Sequence, residues 1–412
     1  MRPPGRRRPP AVPLGIVLID HPIQYVAPGL RRLAEQSGIR TRTYYRRALL
    51  NGFHDPGFDR WVRWKTDLHS GYDWWAPPER PGWQSALAVA RQLHRDRPDV
   101  LLSFGWTSLV ARVAFLYALL TRTPVLFFSD ANIRTPRPPT WRNRLRRRLL
   151  RAGFRRAAGA LTVGAANHAF YVAHDIPAQR LYPGVFCAEV DRFVAAAARR
   201  HDAGTPGTDR PFVIGFVGKL IGLKAVDDLV EACAALGLDR RWELWLVGDG
   251  PLRDEITALV ARRGLTDRVR LFGFRNTDEV PDLVAAMDVL VLPSRSEQRG
   301  LAALEALAAG VPAVVSSVTG VWGPGDVIEP GVSGLVYPVG DIDALAGCLR
   351  RLMDDPAFRR GLAAEGRERA ARLGAEGFGA SVAAALRTVA ANGRRPVPRP
   401  ATKEPAQPSV ER

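Results

Sequence analysis

Short apolar runs alternate with helical patterns along most of the chain. "LGIVLID" at 14–20 precedes an amphipathic stretch at Val26–Gln36, and "PDVLLSFG" precedes one at Leu109–Leu120. "PVLFFSD" leads into an Arg-rich helix and "GALTVG" into another. The second half repeats the habit with "FVIGFVG", "ELWLVG", "VRLFG", "MDVLVLPS" and "PAVVSS", each followed by a helix-like segment. Runs of this length read as strands buried on both faces, and their alternation with helices predicts parallel sheets of α/β type. The rhythm breaks at 196–211, where Gly, Pro and polar residues gather. We therefore expect a first Rossmann-like domain over 12–195, a linker at 196–211 and a second such domain over 212–375. A last helix at 376–392 is expected to cross back to the first domain. Two doubly wound domains imply a cleft between the carboxyl ends of their strands, where such sheets bind ligands.

Residues 51–83 interrupt the pattern with five of the ten tryptophans. A loop this long reads as a lid packed on its own rings, or as an acceptor pocket whose rings stack on a sugar or lipid.

Composition narrows the classes. The 412 residues are 46% hydrophobic and 24% charged, as in soluble globular proteins. Cys187, Cys233 and Cys348 form no CxxC, so a disulfide scaffold or zinc site is not expected and a cytoplasmic, reducing setting is. The longest apolar run, near Leu109–Leu120, is too short to span a bilayer. The N-terminus reads as a basic tail before a first strand rather than as a signal peptide.

The net charge of +18 is concentrated. Arg134–Arg156 holds ten arginines and no acid, while the Pro- and Arg-rich ends, expected to be disordered at 1–11 and 393–412, carry most of the rest. The apolar positions Leu145, Leu149, Leu150 and Phe154 have the spacing of one helical face. A basic amphipathic helix suits an anionic membrane better than nucleic acid, and a solvated face is the plain alternative.

The candidate chemistry gathers at strand ends. "SRSEQRGLAALEALAAG" places Glu297 in a loop after a strand and Glu305 about one turn inside the following helix. A helix start offers free N–H groups to a diphosphate, and Gly300 and Leu301 stand there. Glu305 could accept hydrogen bonds from a ribose diol and Glu297 from a sugar beyond the diphosphate. Two glutamates eight apart are by themselves an ordinary solvated helix edge. "FVGKLIGLKAVDDLVEA" adds Lys219 and Lys224 just after a strand ending at Gly218, in a chain with only four lysines. They suit the two phosphates of one ligand and the charge of a leaving group. "WLVGDGPLRDEI" makes a tight turn at Gly248, and Phe274 and Arg275 end a strand where a nucleobase could lie.

In this order the four motifs resemble the retaining GT-B glycosyltransferases known as group 1 or family 4, most specifically over Phe212–Asp355. The resemblance implies that Glu297 binds the donor sugar, Glu305 the ribose, and Lys219 and Lys224 the diphosphate of a UDP- or GDP-sugar. It implies retention of configuration and no bound cofactor or metal. "HPIQYVAPGLRRLAE" and "RWKTDLHSGYDWW" resemble amino-terminal segments of one branch. The chain departs from the pattern in having Lys219 where many members have Arg. It also lacks the first-domain histidine near Ser103–Gly105. His21, Gln24 and Asp130 stand at or near strand ends and are acceptor-side candidates by position. "DID" at Asp341–Asp343 matches a metal-binding signature of another fold, but it opens a helix, so a cap at Asp341 is expected.

The expected function is sugar transfer to an acceptor hydroxyl, with a lipid-linked or cell-envelope glycan as the acceptor and a peripheral place on the inner membrane face. The rival from another class is a non-catalytic scaffold of the same fold on an anionic membrane or nucleic acid. A pyridoxal-phosphate-dependent phosphorylase would need a further lysine.

Overall fold

The computed structural model describes residues 12–50, 52–55, 60–62, 67–78, 82–135, 139–202 and 210–392. Both expected tails, 1–11 and 393–412, lie outside the described residues, as does Arg137 of the basic run. The first half supplies β1 (Leu14–Ile19), α1 (Ala27–Ala34), β2 (Arg40–Tyr45), β3 (Phe53–Asp55), β4 (Arg60–Val62), β5 (Trp74–Trp75) and α2 (Gly82–Asp96). It continues with β6 (Val100–Phe104), α3 (Leu109–Thr121), β7 (Val125–Phe128), α4 (Trp141–Arg156), β8 (Gly159–Thr162), α5 (Ala165–Ala173) and β9 (Leu181–Pro183). The second half begins with α6 (Val190–Asp202), β10 (Phe212–Val217), α7 (Val226–Ala234), β11 (Trp242–Val247), α8 (Arg253–Arg262), β12 (Val269–Gly273) and α9 (Val280–Ala285). It ends with β13 (Val289–Leu292), α10 (Leu301–Ala308), β14 (Ala313–Ser316), β15 (Leu335–Tyr337), α11 (Ile342–Asp354), α12 (Pro356–Ala371) and α13 (Ala375–Asn392).

The first sheet has the order β5-β2-β1-β6-β7-β8-β9 and the second β12-β11-β10-β13-β14-β15. Every pairing within the two sheets is parallel. The fold is α/β with helices covering both faces of each sheet. The strand order reverses direction between β1 and β6 in the first sheet, and between β10 and β13 in the second. A crevice opens at such reversals. The second falls where "GKLIGLK" leaves β10 and "PSRSEQRG" leaves β13.

Side-chain caps fix several helix starts. Ser108 accepts from Ala111 N at 3.2 Å and Thr140 from Asn143 N at 3.3 Å. Asp341 accepts from Ala344 N at 2.8 Å, the capping role expected of it.

Two expectations need correction. The linker does not begin at 196: residues 190–202 form α6, whose Val190, Phe193 and Ala196 are buried in a second-domain core with Leu304 and Leu307. The run "AAAARR" carries good helix formers and one apolar stripe, so the chain enters the second domain's packing before it breaks. Residues 203–209 lie outside the described residues. Nor is 51–83 only a lid. Trp74 and Trp75 form β5, pairing with Thr43 and Tyr44 of β2 at the edge of the first sheet. Trp75 packs on Tyr44 and Trp74 on Tyr45, with ring centroids 5.1 and 6.2 Å apart. Helix α13 lies in the first domain's core, with Phe378, Val382 and Leu386 fully buried beside Leu30 and Leu33 of α1.

Candidate active site

Strand β10 ends at Val217 because Gly218 and Gly248 turn the chain tightly. A Cβ on Gly248 would lie 1.8 Å from Gly218 O, and Gly248 has φ +142. Only glycine permits that approach. The turn is the floor of a 160 Å³ cavity lined by Gln24, Tyr25, Glu189, Gly218, Gly248, Phe274, Arg275, Thr277 and Glu305, among others. The cavity thus brings together Gly218, Gly248, Phe274, Arg275 and Glu305, which are far apart in sequence. Gln24 joins them, although its place in the sequence suggested the acceptor side. Gln24 Oε1 and Thr277 Oγ1 are both buried without a hydrogen-bond partner, the signature of polar groups facing a site.

Glu305 is carried there by α10. Gly300 has φ +78, a left-handed conformation at the helix start that a side chain would strain, and Leu301 is the first helical residue. The apolar positions of α10, Ala303, Leu304, Ala306 and Leu307, are fully buried, which pins the helix and leaves Glu305 on the cavity side. Burial, and then the charge of Glu189, push the Glu305 carboxyl up to about 8. Glu189 is itself tied to Arg192 at 2.6 Å.

Beside the cavity stands a second cluster. Lys224 closes a 3-10 turn at 222–224, and its Nζ pairs with Glu297 Oε2. Ser294 Oγ lies 3.4 Å from the same oxygen. The Cγ of Glu297 lies 3.6 Å from where a Cβ of Gly300 would stand, so this carboxylate hangs over the start of α10. Lys219 follows Gly218 directly, its chain held where Leu220 N donates to Asp249 O at 2.9 Å. Arg275 is paired with Glu279 at 3.0 Å.

The first-domain candidates are divided. Asp130, after β7, is held above the usual carboxylate range, first by burial and then by the charge of Glu297, with Arg299 opposing. His21, after β1, is pushed down by burial, with Asp20 opposing and Arg46 and Arg47 adding to the shift. His21 is not among the residues that line the cavity.

Four contributors had no signal in the sequence pattern. Glu189, Tyr25, Asn132 and Asp326 reach the site because separate elements converge. Arg299 stands between Glu297 and Glu305 in the same strand–loop–helix unit. It is 4% exposed and donates to both carboxylate oxygens of Asp326 at 3.0 and 3.1 Å.

Residues 199–369 match the family described as glycosyl transferases group 1. The chain is 37% identical over 213 residues to 2-deoxystreptamine glucosyltransferase of Streptomyces kanamyceticus, covering 50% of this chain and 54% of that protein. It is 36% identical over 208 residues to D-inositol 3-phosphate glycosyltransferase of Salinispora tropica, covering 46% and 41%. The matched stretch thus spans about half the length of these curated relatives. Among solved structures, Anabaena Alr3699/HepE in complex with UDP superposes with a TM-score of 0.67 at 18% identity, covering 91% of this chain and 99% of that one. Sucrose-phosphate synthase from Thermosynechococcus elongatus gives 0.65 at 21%, covering 92% and 99%. Residues 199–369 thus carry a domain of the group 1 glycosyl transferase family, and the two parallel sheets, with their structural neighbours, give the chain the GT-B fold.

Proposed function

We propose that the protein is a glycosyltransferase that moves a sugar from a UDP- or GDP-sugar to an acceptor hydroxyl, with retention of configuration. The observation that carries this reading is the cavity at the β10–β13 reversal, where Glu305, the Gly218–Gly248 turn and the start of α10 converge. Phe274 and Arg275 sit where the base would lie and Glu305 where the ribose diol would lie. The free N–H groups of α10 face the diphosphate. Lys219 and Lys224 supply positive charge against the leaving group. Lys224 is paired with Glu297. A diphosphate offers Lys224 a stronger partner, and the released Glu297 can take the sugar hydroxyls. The acceptor oxygen then attacks from the face the diphosphate leaves. That HepE was solved with UDP and with UDP-glucose supports a nucleotide-sugar donor here.

The first domain would present the acceptor, with Asp130 near the reacting face. Helices α3 and α4 carry exposed leucines and an arginine rim, which suits a lipid-linked acceptor on an anionic membrane. Among the described residues no helix is long and apolar enough to cross a membrane.

Thermal shift with UDP, GDP, UDP-glucose and GDP-mannose tests the donor reading. A ligand that binds only the folded chain at 100 times its Kd stabilises it by about 2.7 kcal/mol. We expect one nucleotide series to raise the melting temperature. No shift with any of the four would sink the reading.

A further inference from the structure

Three groups of the first domain reach across the cleft to the second. Asn132, just after β7, is 6% exposed. Its Oδ1 accepts from Arg134 N at 2.8 Å and Thr135 N at 3.1 Å, which fixes the amide and aims Nδ2 outward. That nitrogen donates to Gln298 O at 2.8 Å and to Glu297 O at 3.2 Å. The guanidinium of Arg134 lies 3.6 Å from the centre of the Trp322 ring and donates to Thr319 O at 3.0 Å and Trp322 O at 2.7 Å. Ala165 N, at the start of α5, donates to Asp326 Oδ2 at 3.0 Å.

All three land on two second-domain segments, 297–299 and 319–326, which are bound to each other. Gly320 N donates to Glu297 O at 3.1 Å, and Arg299 donates to Gly320 O at 2.9 Å. There is no slack between them. A Cβ on Gly320 would stand 1.9 Å from Gln298 O and 2.8 Å from Asn132 Nδ2. One on Gly164 would stand 2.2 Å from Asp326 Oδ2.

The Glu297 main chain is therefore held from the first domain, and its carboxylate from the second by Lys224. We propose that Asn132 and Arg134 are positioning residues that couple closure of the cleft to the placement of Glu297, so that the first domain completes the donor-sugar half of the site. This rests on the donor reading above. The base and ribose half takes Gly218, Gly248, Phe274 and Glu305 from second-domain elements; the first domain adds Gln24 and Tyr25 to its lining, and neither Asn132 nor Arg134 lines it.

That division gives the test: UDP affinity by calorimetry, turnover as UDP release from UDP-glucose, and radius of gyration by small-angle scattering. The variants are Asn132→Ala, Arg134→Ala and Arg134→Lys. We expect UDP affinity within about twofold of wild type and turnover lowered by roughly 10- to 100-fold, as for a group misplaced by about an ångström. We expect a larger radius of gyration in the alanine variants. One nitrogen, Nη1, donates to both carbonyls, and lysine keeps that charge but loses the planar guanidinium stacked on Trp322, so Arg134→Lys should fall between. Melting curves identify any variant that fails to fold, and Arg134→Lys then carries the test. Normal turnover in the folded variants, or UDP affinity lost in step with turnover, overturns the proposal. If wild type releases no UDP from UDP-glucose, UDP-glucose is ruled out as the donor, without bearing on the latch. Scattering then decides the latch: a larger radius in the Arg134 variants supports it and an unchanged radius overturns it.

Discussion

Glu305 is a carboxyl on α10 that lines the cavity, while Ala303, Leu304 and Ala306 beside it in the chain are fully buried. Its folded value of about 8, against an ordinary 4.5, means the folded chain holds a proton there that the unfolded chain releases. Such a group favours folding below about pH 4.5, and that contribution is lost as pH rises to about 8. Glu305→Gln removes the titration, so its melting temperature relative to wild type should climb between pH 5 and 8. Nucleotide binding shifts the balance the other way. A ribose diol donates two hydrogen bonds, best accepted by the ionised carboxylate, so UDP should bind wild type more tightly as pH rises over the same window. The Gln variant should lack that component. Glu305→Ala should weaken UDP binding by about 1–3 kcal/mol, the usual loss for hydrogen bonds to a charged group. An affinity ratio between wild type and variant that stays flat with pH, or equal affinity, would remove Glu305 from the ribose.

Among elements, the β10 and β11 turns carry the site's precision. Two glycines in the neighbourhood offer a controlled contrast. Gly248 has φ +142 and would drive a Cβ to 1.8 Å from Gly218 O, whereas a Cβ on Gly222 meets nothing within 4 Å. Gly248→Ala should lower stability by roughly 1–3 kcal/mol, the range for forced overpacking, and abolish nucleotide binding. Gly222→Ala should do neither. Denaturation curves and calorimetry on the pair check this, and a well-behaved Gly248→Ala that still binds UDP would remove the turn from the site. These turns were legible in the sequence because each is local: an apolar run, a glycine, then a helix pattern. Glu297 and Glu305 were legible for the same reason, since one strand–loop–helix unit carries both. β2 was not, because "RTRTYY" alternates polar side chains through a strand whose first half is partly solvated. β5 is two residues long and is a strand only because β2 lies beside it. Glu189, Tyr25 and Asn132 were hidden for a further reason. Their roles depend on the approach of one domain to the other, which no local period records.

For the whole molecule, the basic run divides into parts with different duties. Arg134 is spent on the second domain. Arg151 donates to Ala173 O at 3.0 Å and Arg155 pairs with Asp175 at 2.7 Å, so these two tie α4 to its own domain. Arg142, Arg144, Arg147 and Arg148 remain exposed. The expected apolar face also divides: Phe154 is the buried anchor of α4, while Trp141, Leu145 and Leu149 are 69%, 48% and 65% exposed. Beside them α3 exposes Leu116 and Leu120, and a groove of 760 Å³ floored by Phe115, Phe127 and Phe154 runs between the helices. Both helices start from carboxyl ends of first-domain strands, the ends that face the cleft. An exposed apolar surface ringed by arginines fits an anionic bilayer, where each basic residue contributes about 1 kcal/mol and salt screens beyond about 8–10 Å. We expect flotation with vesicles of phosphatidylglycerol and phosphatidylcholine, little with phosphatidylcholine alone, and a decline as salt rises. Changing Arg144, Arg147 and Arg148 to Gln should abolish flotation without moving the melting temperature, since these side chains are solvated. Leu145→Ser with Leu149→Ser should weaken it at any salt concentration, because that pair contributes burial rather than charge. Equal recovery with neutral vesicles, or retention on duplex DNA alone, would take the membrane out of the proposal and leave the cleft as the acceptor's only hold.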